Sequence, residues 1–195
     1  MAQGNPAGLR SYSQQISASS ATVSQVTSPL NQITDIISSS LHVPGTPHIL
    51  GAVKQTQTTL NAHAQLREAL AKATNAVADA VEHSQQANHT NALAATHLHQ
   101  MNTQVSNVSA KVAEATVADS IAHMPGSHGP TPAQKQHLSD LEGELKRAKN
   151  LQWEAQQHFN ATNTAAQEAD HAKRMTECTK ALAQSGSLGS RICQP

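Results

Sequence analysis

Residues 52–124 read AVKQTQTTLNAHAQLREALAKATNAVADAVEHSQQANHTNALAATHLHQMNTQVSNVSAKVAEATVADSIAHM. These seventy-three residues include no Gly and no Pro, and Gly51 and Pro125 lie on either side of them. A stretch of this length without a helix-breaking residue favours one long α-helix. Small or apolar side chains recur in it at alternating spacings of four and three residues: Leu66, Leu70, Ala73, Val77, Ala80, Ser84, Ala87, Asn91, Ala94, Leu98, Met101, Val105, Val108, Val112 and Ala115. An average repeat of 3.5 residues places this row on one face of the helix and is typical of a coiled coil.

The row contains two polar residues near its middle, Ser84 and Asn91. Polar side chains at such positions weaken packing but can fix the register between helices. We therefore expect any break in this helix to lie near residues 84–91. Two alternatives remain open, a continuous helix over about residues 49–122 and a break that leaves two stacked hairpins, residues 1–85 and 86–195.

A first helix is predicted over about residues 6–41. Asn5 and Pro6 match an N-cap followed by proline at the first helical position. A second row with alternating spacings follows: Leu9, Tyr12, Ile16, Ser19, Val23, Val26, Leu30, Ile33 and Ile37. This row predicts the face of the first helix that packs against the central helix.

A third helix is predicted over about residues 132–184. Thr131 precedes Pro132, and Gln134 lies three residues after Thr131, which is the pattern of a capping box. Its row is Leu138, Leu141, Leu145, Ala148, Leu151, Ala155, Phe159, Thr162, Ala166 and Ala169.

Two short turns rich in Pro and Gly, at residues 42–48 and 123–130, separate the three helices. Short turns between amphipathic helices make the neighbours antiparallel. The predicted fold is therefore all-α, an elongated antiparallel coiled-coil-like bundle of three long helices in a single domain over residues 1–195.

Composition narrows the classes of function. The chain has 13 basic and 13 acidic residues, so it offers no overall positive charge for nucleic acid. It has no run of apolar residues long enough to span a membrane, and no charged and apolar leader of the secretory type at its start. We expect no nucleic-acid partner and no membrane span.

The sequence predicts no catalytic residue, no cofactor and no metal site. Two metal ligands on one helix face need a spacing of three or four residues. The neighbouring histidines of the central helix, His83, His89, His97 and His99, do not have that spacing. No phosphate-binding loop or nucleophile motif is present either, and we expect a protein that is not an enzyme.

Two candidate sites remain. Trp153 lies two positions after Leu151; the favoured interpretation is that it covers the edge of the bundle, and the alternative is that it is exposed and contacts a partner. Cys178 and Cys193 are fifteen residues apart, and a disulfide between them could contribute about 3 kcal/mol. Two free thiols are equally compatible with the sequence.

Residues 1 to about 85 resemble the helical-hairpin proteins of the type VII (ESX) secretion systems. The resemblance lies in a composition rich in Ala, Ser and Gln, in the scarcity of aromatic residues, and in a short turn between two helices. Val43-Pro44-Gly45 stands where that family has Trp-x-Gly, and the only tyrosine, Tyr12, does not belong to a Tyr-x-x-x-Asp/Glu export signal. The resemblance implies a secreted protein that is exported without a cleaved signal.

The first functional hypothesis is a non-enzymatic interaction protein that binds a protein partner, or itself, through its helical seams and is exported or associated with a secretion system. The alternative is a structural subunit of a filament, virion or other large assembly. The expected location is outside the cell by a signal-independent route or within an assembly, and otherwise the cytoplasm.

Overall fold

A computed structural model describes residues 5–40, 44–126 and 128–185. This part of the chain forms three α-helices and contains no strand: α1 (Pro6–Ser40), α2 (Thr46–Ala122) and α3 (Pro132–Ser185). The prediction of an all-α bundle is confirmed. Since α2 continues through residues 84–91, the alternative of a broken central helix is wrong.

The predicted caps form at the starts of α1 and α3. Asn5 Oδ1 accepts hydrogen bonds from the backbone N–H groups of Ala7, at 3.1 Å, and Gly8, at 3.3 Å. Thr131 and Gln134 form the predicted capping box, in which each side chain accepts from the backbone N–H of the other, at 3.2 and 2.8 Å. These bonds satisfy donors that the first turn of a helix otherwise leaves unpaired.

The start of α2 lies three residues earlier than predicted. The carbonyl oxygen of Gly45 accepts backbone hydrogen bonds from His48, at 3.2 Å, and Ile49, at 3.3 Å. The first helical residue is therefore Thr46, and Gly45 takes the N-cap position.

The chain divides into two compact units. In its described part, unit 1 comprises α1, α2 as far as Ser84, and α3 from Ala169 onward. Unit 2 comprises α2 from Gln85 and α3 as far as Glu168. The boundary within α2 falls beside the polar residue Ser84, and the end of α3 belongs with the first unit.

In unit 1, the α1 residues that turn toward α2 differ in part from the predicted row. The α1 seam is defined here as the buried or half-buried residues that recur at alternating spacings of four and three, namely Leu9, Ser13, Ile16, Ser20, Val23, Thr27, Leu30, Thr34 and Ile37. Ser19 of the predicted row is also half-buried, as are Pro6 and Arg10. Five residues of the α1 seam belong to the predicted row. The prediction was wrong for Tyr12, Val26 and Ile33, which are 45–49% exposed, and hydroxyl residues occupy the alternate positions instead.

The cause is a pair of hydrogen bonds between the two helices. Ser13 Oγ donates to the carbonyl oxygen of Ala71 at 2.9 Å, and Ser20 Oγ donates to that of Ala64 at 2.8 Å. A hydroxyl on a single carbon reaches the main chain of another helix only where the two backbones lie close together. A Tyr or Val at these positions would hold the helices apart, so the small hydroxyl residues occupy the interface.

α2 carries two seams. The first faces α1 and runs through Leu50, Val53, Gln57, Leu60, Ala64, Arg67, Ala71, Thr74, Ala78 and Val81, with alternating spacings of three and four. The second is the row predicted from the sequence, and every member from Leu70 to Ala115 is at least half-buried. Leu66, the first residue of the predicted row, has the spacing of the row but is not buried, because its side chain is 55% exposed.

In unit 2, polar side chains on or beside the seams bond to each other between α2 and α3. Gln152 Nε2 donates to Asn102 Oδ1 at 2.7 Å, and Thr162 Oγ1 donates to Asn91 Oδ1 at 3.1 Å. Gln152 thus occupies the position predicted for Leu151, which is 47% exposed. Because the amide of Asn91 is satisfied by α3, a polar residue at this point does not interrupt α2.

Two adjacent substitutions can test which face of α1 turns toward α2. We expect Ser13→Leu to lower the free energy of unfolding by about 1–3 kcal/mol, because it forces a large side chain into a close interface. Tyr12→Leu should change it by less than about 0.5 kcal/mol, because the site is half-exposed. Urea unfolding followed by circular dichroism measures both, and a larger loss for Tyr12→Leu than for Ser13→Leu would contradict the observed seam.

Candidate protein interaction surface

Trp153 lies on α3 in unit 2, and its side chain is 65% exposed. The interpretation that it covers the edge of the bundle stays a prediction. The exposed position agrees with the alternative, and contact with a partner stays a prediction. The nearest large apolar residue in sequence, Leu151, lies two positions away, which is nearly the opposite side of a helix.

Cys178 lies on α3 within unit 1 and is half-buried. Cys193, with which the sequence could pair it, lies outside the described residues. The predicted disulfide therefore stays a prediction.

Among the described residues, no group of three or more His, Cys, Asp or Glu side chains lies close enough to hold a metal ion. None of the helices in this part of the chain has the length and apolar character that crossing a bilayer needs.

The most distinctive surface belongs to unit 1. Six large apolar side chains on α1 and α2 are 45–61% exposed, namely Tyr12, Val26, Ile33, Ile36, Ile49 and Leu66. Each of them lies one residue before a member of the seam on its own helix. We call the surface that they form the open face.

Helix geometry places these six residues on one side of the hairpin. An α-helix turns by about 100° per residue, so the residue before a seam residue points a little more than a quarter turn away from the partner helix. The direction of this turn is fixed relative to the chain direction of each helix. In two antiparallel helices that face each other, stepping back by one residue on either helix therefore leads to the same side of the pair. The apolar positions of α1 and α2 therefore share one face.

The charged residues lie on the opposite side. In α1 and in α2 as far as Glu82 there are eight Asp, Glu, Lys or Arg residues, and seven of them lie one residue after a seam residue. These seven, called the charged side, are Arg10, Asp35, Lys54, Glu68, Lys72, Asp79 and Glu82. The exception, Arg67, occupies a seam position and donates to the side-chain and main-chain oxygens of Ser19.

An ion pair confirms the geometry of the charged side. Arg10 Nη2 lies 2.8 Å from Asp79 Oδ1 and 2.5 Å from Glu82 Oε2, so residues that follow the seam on α1 and α2 meet across the hairpin. The hydrogen bond with Glu82, followed by that with Asp79, raises the pKa of Arg10 above its ordinary value. All three side chains are largely exposed, and such pairs contribute little to stability.

At one end of the hairpin, α3 covers the same side as the open face. A cleft of about 470 Å³ lies between the helices of unit 1 there, with Leu9 on α1, Val77 and Val81 on α2, and Glu177 and Lys180 on α3 among its lining residues. Nearby, Ser84 Oγ donates to a carboxylate oxygen of Asp170. The second seam of α2 is thus covered from Leu70 onward, while Leu66 and Ile49 lie on the uncovered continuation of the same row.

Comparison with known protein families, with curated proteins and with solved structures finds no match for this chain.

The rows predicted from the sequence contain four residues of the open face but assign them to buried seams. Leu66 was placed in the second seam of α2. Tyr12, Val26 and Ile33 were placed in the α1 seam, because their row and the observed one have the same average repeat and share every second position.

The charged residues of α1 could have identified the correct seam. Both of them, Arg10 and Asp35, lie one residue after a residue of the observed seam.

The exposure of Trp153 can be measured directly, because it is the only tryptophan in the chain. We expect an emission maximum close to that of N-acetyltryptophanamide in the same buffer, and nearly equal quenching by acrylamide. A strongly blue-shifted and poorly quenched emission would show that the indole is buried.

A carboxylate on the charged side gives a prediction about pH. Lys72 Nζ lies 2.8 Å from Glu68 Oε1, and this hydrogen bond lowers the pKa of Glu68. A lowered pKa means that the pair stabilises the fold above the ordinary pKa of glutamate and ceases to do so as the pH falls through the lower, folded-state value. Glu68→Gln should therefore lower the thermal midpoint slightly at pH 7, and this difference from the wild type should disappear in acid. A difference that grows on acidification would contradict the pair.

Proposed function

We propose that this chain is a non-enzymatic helical interaction protein that binds a protein surface through the open face. One observation supports the proposal above all others. In the α1–α2 hairpin, exposed large apolar side chains collect on one side and charges collect on the other.

This segregation is not needed to hold the hairpin together. The seams between α1 and α2 are complete without the open face, and its six apolar residues remain about half-exposed to water. Contiguous apolar patches on a protein surface mark sites of interaction. Burying the exposed half of six such side chains would contribute on the order of 1 kcal/mol each.

Association has its own entropic cost, estimated at about 4–15 kcal/mol. The apolar contribution of the open face alone is near the low end of that range. A partner that brings an apolar face of similar size doubles the area removed from water. The geometry therefore favours a partner whose surface is itself a row of small and apolar helical side chains.

Export by a route that uses no cleaved signal is a further part of the proposal. Its support is the resemblance of residues 1–85 in composition and in helical-hairpin organisation to type VII (ESX) secretion proteins. Mass spectrometry of the medium around the native cells tests it. Detection of the chain only inside intact cells would overturn the export part and leave the interaction part standing.

The alternative, a structural subunit of a larger assembly, is favoured by a second apolar surface. Val117, Ile121 and Met124 lie near the end of α2 in unit 2 and are 55–58% exposed. Two separate apolar surfaces would allow one chain to contact two neighbours, which a filament or shell requires. Light scattering distinguishes the two proposals, because an assembly subunit forms large particles and an interaction protein forms small complexes.

Photo-crosslinking in the native cells tests whether the open face contacts protein. We expect benzoylphenylalanine at Val26, Ile33 or Leu66 to give discrete crosslinked products on irradiation. The same group at Ala21, which follows a seam residue and so lies on the charged side, is the matched control and should give none. The absence of a product from all three positions of the open face would overturn the proposal.

A further inference from the structure

We infer that the open face binds the open face of a second copy of this chain, so that two hairpins form a two-fold symmetric dimer. This inference depends on the proposed function, because it names the partner that the same surface takes. Three observations carry it: the continuity of the α2 row, the near absence of charge on the face, and its size.

The continuity of the α2 row indicates that the occupant is helical. From Leu70 to Ala115, members of this row are at least half-buried beneath α3. The same alternation of three and four continues backward from Leu70 through Leu66, His63, Thr59, Thr56, Ala52 and Ile49, where the side chains are exposed. Because a helix covers most of this row, and the uncovered residues have the same spacing, the uncovered part fits another helix.

The electrostatics favour the chain's own copy as that helical surface. The rows that form the open face, from Tyr12 to Ile36 on α1 and from Ile49 to Leu66 on α2, contain no Asp, Glu, Lys or Arg. The guanidinium of Arg67, which donates to Ser19 of the α1 row, is the one charge among the described residues of the hairpin that is bonded to this face. A face with a single charge offers little to a partner that is selected by charge. The seven residues of the charged side point outward when two copies meet on their open faces, so they do not oppose each other.

The size of the face is close to what a stable dimer needs. At 1.5 Å per residue, the length of α1 from Tyr12 to Ile36 is roughly 35 Å. The uncovered row of α2 from Ile49 to Leu66 is shorter, roughly 25 Å, and each helix is about 10 Å wide, so the face covers roughly 600 Å². Standard protein interfaces bury about 800 Å² on each partner. In a symmetric dimer each of the six apolar residues is buried twice, once on each copy.

Sedimentation equilibrium of the purified full-length chain at neutral pH tests the inference. We expect a mass of twice the 20.5 kDa of one chain. Val26→Asp with Ile33→Asp should raise the dissociation constant by roughly 100-fold or more, because each copy would bring two unpaired carboxylates into an apolar interface. Leu66→Asp, on the other helix, should weaken the dimer in the same direction and provides an independent variant.

The matched control is Ala21→Asp with Ser28→Asp. These two positions have the same seven-residue spacing on the same helix, but they follow seam residues and lie in line with Asp35 on the charged side. The control should sediment as the wild type does. Circular dichroism should show the same helix content in all the variants, so that a lower mass reports a lost interface rather than a lost fold.

A monomer at every concentration, or a dimer that resists both open-face variants, would overturn the inference. The products of photo-crosslinking separate this failure from failure of the proposed function. A product at Val26 with the mass of two chains supports the second copy. A product with a different protein and none with a second copy overturns the dimer but leaves the open face as an interaction surface.

Discussion

The close contact between α1 and α2 depends on serine hydroxyls that donate to main-chain carbonyl oxygens. Ser13 and Ser20 lie one heptad apart and bond to Ala71 and Ala64, which lie one heptad apart in the opposite direction. Such bonds form only where the side chains between the backbones are small. They fix the rotation of α1 about its axis, and this rotation decides which side chains of α1 face α2 and which face the solvent.

The surface of the hairpin follows from that rotation. Once the hydroxyl residues occupy the interface, Tyr12, Val26 and Ile33 turn outward beside Ile49 and Leu66 of α2, and Arg10 turns toward Asp79 and Glu82 on the other side. A rotation that buried the larger apolar residues would remove the hydroxyl bonds. The apolar open face is thus the consequence of an interface built from small residues.

Unit 2 uses polar residues differently. Asn91 bonds to Thr162, and Asn102 bonds to Gln152, in both cases between side chains of α2 and α3. Each amide has a partner only in one alignment of the two helices, so these bonds fix the register at the expense of apolar burial. They also explain why α2 remains a helix through a polar segment where the sequence was compatible with a break.

The sequence by itself determined the three helices, the caps of α1 and α3 and the second seam of α2, because helix breakers, capping residues and long rows of repeated spacing are local signals. It did not determine which of two overlapping rows on α1 faces α2. Both rows repeat every 3.5 residues and share Leu9, Ile16, Val23, Leu30 and Ile37. Only the tertiary structure decided between them, because the deciding energy lies in hydrogen bonds to a helix some fifty residues away in the chain. The exposed position of Trp153 and the open face were decided in the same way.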